Sequence, residues 1–406
     1  MRTVLVVGGG ASGLMASYIA SLNNNNVILL EKNEKLGKKI YITGKGRCNV
    51  TNSVEPSGFL NFVCTNPKFL FSSIYSFSPQ DLIKLLNDSG LDLVFERGNR
   101  VFPKSNHASD VIKTFEKMLL KNNVDIRLNT SVKSLIIIDG VVKGVKTTTG
   151  DIYSDSVILC TGGVSYPLTG SSGDGFLFAK ECGHEIVKLK PALCGLELKG
   201  NDYLASQGLT LKNVSLKVYN GQKEIYNDFG EMLFTHFGVS GPIILSCSSV
   251  INKFDLSNIK IVIDLKPALS NDVLDKRLQR EFSENSSKEI HNVLRALLPQ
   301  SLIDVVLLKS HLPQSKKCAT ITKEERNSLL NILKSLTFEV KGLRNIDEAI
   351  VTSGGVSVKN INAKTMESKL IKGLYFAGEM IDVDAFTGGF NLQIAFSTGY
   401  IAGKNA

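Results

Sequence analysis

Gly8-Gly9-Gly10-Ala11-Ser12-Gly13 constrains this chain more than any other feature, because it follows an apolar strand, Thr3 to Val7, and opens an apolar helix of about Ala11 to Leu22. The spacing is G-x-G-x-x-G. Gly8 allows a tight turn, Gly10 lets the backbone approach a pyrophosphate, and Gly13 lets the helix pack closely on the strand. The N–H groups at the helix N-terminus then face the phosphates. A run of four Asn, Asn23 to Asn26, makes a turn into a second strand, Val27 to Glu31. Glu31 stands 18 residues beyond Gly13, where a carboxylate accepts hydrogen bonds from a ribose 2′-OH and disfavours a 2′-phosphate. Strand, helix and acid in register predict a βαβ dinucleotide site. The alternative, a structural glycine turn followed by a surface Glu, needs all three to coincide by chance.

The remaining pattern predicts an α/β fold in which a Rossmann-like domain is interrupted by an insertion. Helical patterns cover Asn66 to Ser76, Pro79 to Ser89 and Ala108 to Asn122. Strands at Val132 to Ile138, Val141 to Thr147 and Ile152 to Tyr153 form a β-meander, with Asp139-Gly140 and Gly150-Asp151 as its expected turns. Val157 to Cys160 is continuously apolar, like a strand buried on both faces of a parallel sheet, and Thr161-Gly162-Gly163 ends it. Residues 191–269 read as β-rich and residues 270–344 as mainly helical. Apolar strands and glycine clusters then return at Ala349 to Thr352 and Leu374 to Ala377, before a final helix near Leu392 to Ala402. The expected division is therefore 1–190 with 345–406 as a discontinuous Rossmann-like domain, and 191–344 as an inserted domain, part β-barrel-like and part helical.

Composition sets the outer limits. With 406 residues, 43% of them hydrophobic, the chain is ordinary for globular proteins, which excludes disordered and collagen-like classes. Its apolar runs are strand-sized, far below the roughly 20 residues that cross a bilayer. No signal-peptide pattern precedes the first strand, so a soluble cytoplasmic protein is expected. The 7 Cys include no C-x-x-C pair, so neither a metal site nor a disulfide framework is signalled. The formal charge is +9, and one local excess stands out: Lys32, Lys35, Lys38, Lys39, Lys45 and Arg47, opposed there only by Glu34. This is either an anion site or a solvated face.

The glycine fingerprint alone does not separate NAD from FAD. The C-terminal residues do better. Gly373 to Ala377 reads as a strand ending on Gly378-Glu379, and Thr387-Gly388-Gly389-Phe390-Asn391-Leu392-Gln393 opens the last helix. A second helix N-terminus is offered to a second anionic group. In a two-ended cofactor such as FAD it would stabilise negative charge on the pyrimidine end of the reduced ring, with Glu379 near the ribityl chain. Gly162, Gly378 and Gly389, at these strand ends and this helix start, join Gly8 and Gly10 as candidate cofactor contacts.

Four long segments also carry a resemblance: Gly44-Lys45-Gly46-Arg47-Cys48-Asn49-Val50-Thr51-Asn52, Arg100 to Pro103, Glu231 to Pro242, and Gly373 to Gly399. In this order they resemble the BaiN/YhiN-like flavoproteins, a family of NAD(P)/FAD-dependent or aminoacetone-oxidase-type oxidoreductases. The resemblance implies non-covalent FAD. Its contacts would fall on Ala11, Ser12 and Gly13 at the pyrophosphate, on Glu31 and Lys32 at the adenosine ribose, and on backbone groups of Val132 at the adenine. Lys38, Lys39 and Thr43 would line the centre, and Glu379, Asn391 and Leu392 the ribityl and flavin end. Fumarate-reductase-type flavoproteins are implied as more distant relations. No His here matches their covalent flavin attachment, which speaks against succinate or fumarate chemistry.

Flavin carries the redox chemistry, so the chain's own catalytic groups are harder to read. Arg47 is a candidate for stabilising reduced flavin or gripping an acidic substrate; a structural pairing is the equal alternative. Cys48 has no partner thiol and reads as packing. His236, in a Thr-His-Phe-Gly motif, is a candidate proton donor, weighed against a hydrogen-bonded structural His. His184 and the remaining His suggest only surface or helix positions. The expected activity is an FAD-dependent oxidoreductase acting on a small molecule between the flavin domain and the insertion. Because no second G-x-G-x-x-G appears, NAD(P)H would dock transiently at the flavin, and an oxidase of a small amine or ketone stays open. A flavin-dependent tRNA-modifying enzyme is a further alternative, but no aromatic-interleaved basic stripe marks a nucleic-acid partner. Nothing in the sequence speaks to the oligomeric state.

Overall fold

A computed structural model describes residues Met1–Ala406, which divide into two compact units, Met1–Ala192 with Ile346–Ala406, and Leu193–Asn345. In the first, five parallel strands lie in the order Leu374–Phe376, Ser156–Leu159, Thr3–Val7, Asn26–Leu30, Asp125–Arg127. All four pairings are parallel. The three central strands are almost wholly apolar because both faces are covered, and Val4, Leu5, Val6, Val157 and Ile158 have no exposed surface, whereas the edge strand Asp125–Arg127 keeps its Asp and Arg exposed. Every strand in such a sheet ends on the same edge, and the glycine turns after Val7, Leu159 and Phe376 therefore gather there.

Two helices pack as a pair beneath this edge. The first, Ala11–Leu22, and the last, Phe390–Asn405, approach through Gly399 and Gly403, whose Cα atoms lie against the Ser12 and Ala16 carbonyls where no Cβ would fit. A small residue every fourth position lets two backbones come this close. The meander Val132–Ile138, Val141–Thr147, Gly150–Tyr153 forms a separate antiparallel sheet. Its first turn is Asp139-Gly140, both at positive φ, as expected. The second is not at Gly150-Asp151: Thr147 pairs with Gly150, so Thr148 and Thr149 make the turn and Gly150 opens the next strand. The Asn66 to Ser76 pattern begins as a short 3₁₀ segment, Pro67–Leu70, before the helix Phe71–Ser76. Pro67 leaves Asn66 outside the helix, at φ 53°.

The second unit is a closed six-stranded barrel with helices. Its strands run in the order Leu196–Leu198, Gly238–Ser240, Lys223–Thr235, Thr210–Asn220, Ile259–Asp264, Leu336–Leu343. Alternate residues point inward, so Leu216, Val218, Ile261, Ile263, Leu336 and Val340 are fully buried. Two features differ from the β-then-helix reading. Pro242–Ile251 is a helix inside the β-rich stretch, and Leu336–Leu343 closes the barrel from beyond the helices Asn271–Glu284, Gln300–Lys309 and Lys323–Lys334. No helix is long and apolar enough to cross a membrane.

Candidate functional site

Gly8 bends the chain at φ +106°, and a Cβ there would lie 2.5 Å from the Cys160 carbonyl oxygen, so the turn requires glycine. A Cβ on Gly13 would overlap the Gly8 carbonyl, which fixes the helix close under the strand end. Gly10 is the opposite case. Its φ of −83° suits any residue, and beyond its own chain neighbours no atom lies within 4 Å of where its Cβ would be. Gly10 also caps the first helix without a side-chain hydrogen bond, and no acid sits in the first turn. The N–H groups of Ala11, Ser12 and Gly13 therefore border an open space, which fits a diphosphate.

Glu31 follows the second strand and is 8% exposed. Its Oε2 accepts from the Gly9 N–H at 2.8 Å, and its Oε1 accepts from the Asn33 N–H and Nδ2 at 2.8 and 2.7 Å. The carboxylate is thus held against the glycine loop, and Oε2 keeps acceptor capacity for a ribose hydroxyl. Lys32 pairs with Asp174 at 2.8 Å and donates to Ser172. Burial pushes the Asp174 carboxyl up, but Lys32 and Ser172 outweigh it and leave it below the ordinary value.

Lys39 and Glu379 are joined. Lys39 Nζ donates to Glu379 Oε1 and Oε2 at 2.9 and 2.7 Å, and to Ser165 Oγ at 2.7 Å. The Thr352 N–H and Ser165 Oγ also donate to Glu379 Oε1, at 2.8 and 3.1 Å. Gly378 presses on Ser12 Oγ and donates its N–H to Thr398 Oγ1 at 2.9 Å, which ties this loop to both helices. Gly162, at φ +75°, lies beside Ser171. Lys38 reaches Asn33 and Glu34, both at 3.3 Å, and the Thr43 hydroxyl turns back to the Ile40 carbonyl at 2.7 Å. Val132 opens the meander, paired with Thr147.

The last helix starts at Gly389, which sits at φ +97° with its Cα packed on the Thr51 carbonyl. It too has no side-chain cap. The Asn391 side chain serves the protein: Oδ1 accepts from the Ala385 N–H at 3.0 Å, and Nδ2 donates to the Ala385 carbonyl at 2.8 Å. That leaves the N-terminal N–H groups, including those of Asn391 and Leu392, facing outward from the helix end. Preceding segments brace this start. Asp382 accepts from Asn66 Nδ2 at 3.0 Å, and the fully buried Asp384 accepts from Ser353 Oγ at 3.0 Å. Gln393, also fully buried, accepts from Thr51 Oγ1 at 2.6 Å.

The catalytic candidates fare differently. Arg47 pairs with Glu96, donates to Asn106 Oδ1 at 2.8 Å, and lies 4.3 Å from the Phe102 ring centre. Cys48 is fully buried, and burial pushes its thiol up to about 12, which suits packing and not thiolate chemistry. His236 belongs to the barrel unit, exposed in the turn before Gly238–Ser240, with its ring 5.1 Å from that of Phe237. His184 is buried, not a surface residue: Nδ1 meets the Ala179 carbonyl at 3.0 Å and Nε2 meets Ser368 Oγ at 2.8 Å. No group of three His, Cys, Asp or Glu is arranged to hold a metal. Ser165, Ser172, Asp174 and Thr352 escaped sequence reasoning, having no local pattern. Gly399 and Gly403 had one, the four-residue spacing of small residues.

The model of the HI0933-like protein Rossmann domain matches residues 2–405. This chain belongs to the HI0933-like family. The resemblance to BaiN/YhiN-like flavoproteins points the same way, and the family's members are FAD-binding oxidoreductases. The chain is 28% identical to the 3-dehydro-bile acid delta(4,6)-reductase of Clostridium scindens, covering 100% of this chain and 99% of that one. It is also 28% identical to the ribosomal RNA dihydrouridine synthase of Haemophilus influenzae, over 98% and 96%. Among solved structures, the open conformation of a flavocytochrome c3 fumarate reductase superposes with a TM-score of 0.53 at 19% identity, covering 100% of this chain and 78% of that one. That likeness concerns the fold.

Proposed function

We propose that this protein is an FAD-dependent reductase that saturates an electron-poor ring carbon–carbon double bond, with NADH or NADPH as a transient electron donor. The observation that carries the reading is the open space at Gly10, bounded by uncapped helix N–H groups at the carboxyl edge of a parallel sheet. Relatives along the whole chain support the ring chemistry. One is named for reducing a bile acid and another for making dihydrouridine in ribosomal RNA, and both names describe saturation of a ring double bond.

Bound non-covalently, FAD would supply the hydride transfer. Ala11, Ser12 and Gly13 would hold its diphosphate through backbone N–H groups, and Glu31 would hold the ribose. The ion pair of Lys39 with Glu379 brings no net charge to the centre of the site, so negative charge on the reduced ring falls to the N-terminus of the last helix at Asn391 and Leu392. Arg47, fastened to Glu96 and Phe102, acts at the rim of the site and not as a free acid.

The test is an anaerobic reoxidation. Protein reduced with dithionite is mixed with a 3-oxo-4,6-diene steroid or with a uridine-containing RNA. Reoxidation by either, with a saturated product, supports the reading. Flavin that neither compound reoxidises, but that a small amine or ketone reduces and oxygen then reoxidises with release of peroxide, would make the protein an oxidase.

A further inference from the structure

The last helix, Phe390–Asn405, begins without a capping side chain, and what aims it is a two-residue strand, Thr51–Asn52. Asn52 is 2% exposed. Its Nδ2 donates both to the Gly388 carbonyl at 3.1 Å and to the Gly98 carbonyl at 3.0 Å, and its Oδ1 accepts from the Val54 N–H at 3.3 Å. One buried amide thus ties the glycine turn before the helix to the turn of the hairpin formed by Leu93–Glu96 and Arg100–Pro103. In a trans peptide the C=O and N–H point opposite ways, so holding the Gly388 carbonyl against Asn52 aims the Gly389 N–H away from it.

Thr51 sets the first turn of the helix. Fully buried, it donates from Oγ1 to Gln393 Oε1 at 2.6 Å. Gln393 spends its two amide hydrogens on the Phe77 carbonyl at 3.2 Å and on Ser397 Oγ at 3.0 Å, and Ser397 Oγ donates to the same carbonyl at 2.7 Å. The Gln393 N–H bonds the Gly389 carbonyl at 3.1 Å, and a Cβ on Gly389 would overlap the Thr51 carbonyl. Rotation and tilt at this end are therefore fixed by hydrogen bonds, which weaken steeply when misaligned. Packing alone would not need them, because burying an amide or a hydroxyl costs free energy that apolar residues avoid. A fully satisfied buried network instead specifies one arrangement.

We propose that Asn52 and Thr51 are positioning residues that set the reduction potential of the flavin by aiming the N-terminus of the last helix at its pyrimidine end. The assignment rests on the FAD reading above, and goes beyond it by giving the tuning to residues that act through the helix. The positive end of a helix favours negative charge only within its first turn. A small rotation or retreat of that turn therefore costs the reduced, anionic ring more than the neutral, oxidised one. Reduced flavin then binds less tightly relative to oxidised flavin, and the potential falls.

The experiment is a midpoint-potential titration of the purified yellow protein against a reference dye, with FAD content and thermal unfolding measured alongside. N52L keeps the volume and removes the donors, T51V keeps the shape and removes the hydroxyl, and T51S keeps the hydroxyl. N52L should weaken binding of reduced relative to oxidised flavin about tenfold, a fall of about 30 mV for a two-electron couple. T51V should move the same way by about threefold, or about 14 mV, and T51S should hold the wild-type potential. T322A removes a helix cap in the other unit, so it should lower stability and leave the potential alone. Unchanged or raised potentials in yellow N52L and T51V would overturn the inference and leave the FAD reading intact. An equal fall in T51S or in T322A would overturn it too, by tying the potential to general stability. Should N52L fail to fold, T51V and T51S decide between them. A wild type that takes up no FAD sinks the reading and the inference together.

Discussion

Replacing Gly10 with valine separates binding of a cofactor from folding of the chain. Beyond its chain neighbours nothing lies within 4 Å of a Cβ at this position, and φ −83° is comfortable for valine. Losing a glycine N-cap costs the fold about 1 kcal/mol or less. The added side chain would occupy the space through which a diphosphate reaches the N–H groups of Ala11 and Ser12. A hydrogen bond to a charged group contributes about 1.5–3 kcal/mol, so losing two weakens FAD by about 3–6 kcal/mol, roughly 10²- to 10⁴-fold. The assay is FAD released per chain on heating, together with thermal unfolding of flavin-stripped protein. Gly10→Val should be colourless while its stripped form unfolds close to stripped wild type. Gly13→Val serves as the contrast and should fail to fold, because its Cβ would overlap the Gly8 carbonyl. A yellow Gly10→Val protein with one FAD per chain would refute the placement of the phosphates.

Other consequences are as direct. Gly399→Val forces a Cβ onto the Ser12 carbonyl, and should destabilise the first unit by about 1–3 kcal/mol in a denaturant titration and reduce flavin retention. Cys48, buried and with its thiol pushed up to about 12, should resist iodoacetamide in the native protein and react once unfolded, as peptide mass mapping would show. Burial holds the His184 imidazole below its ordinary value, so the unfolded chain takes up a proton near pH 6.5 that the folded chain refuses. That stability is present above about pH 6.5 and is lost as pH falls, so His184→Gln should flatten the decline of the urea midpoint below neutrality. Thr322 caps the helix Lys323–Lys334 in a reciprocal box with Glu325, and Thr322→Ala should cost about 1 kcal/mol.

The parts of the fold written locally were legible. Gly8 to Gly13 with Glu31, and the apolar strands at Thr3, Asn26 and Ser156, depend on neighbours a few residues away, and the pattern carries them. What needs the tertiary structure was hidden. Leu336–Leu343 closes the barrel by pairing with Ile259–Asp264 across a helical stretch, and nothing near it in sequence announces that partner. Lys39 and Glu379 were each singled out as candidate site residues, but their mutual ion pair spans 340 positions and no local pattern shows it. Gly150-Asp151 looked like a hairpin turn by composition; the pairing of Thr147 with Gly150 moved the turn two residues earlier. Arg47 meets Glu96 and Phe102 only because the fold brings two distant segments together.

The most direct test of the central claim is anaerobic mixing of the yellow protein with NADH and, separately, NADPH, following the visible flavin absorbance. An FAD-dependent reductase with a nicotinamide donor predicts rapid bleaching by at least one nucleotide, and return of colour when a ring substrate is added. Flavin that neither nucleotide bleaches, but that a small amine or ketone does, would contradict the account.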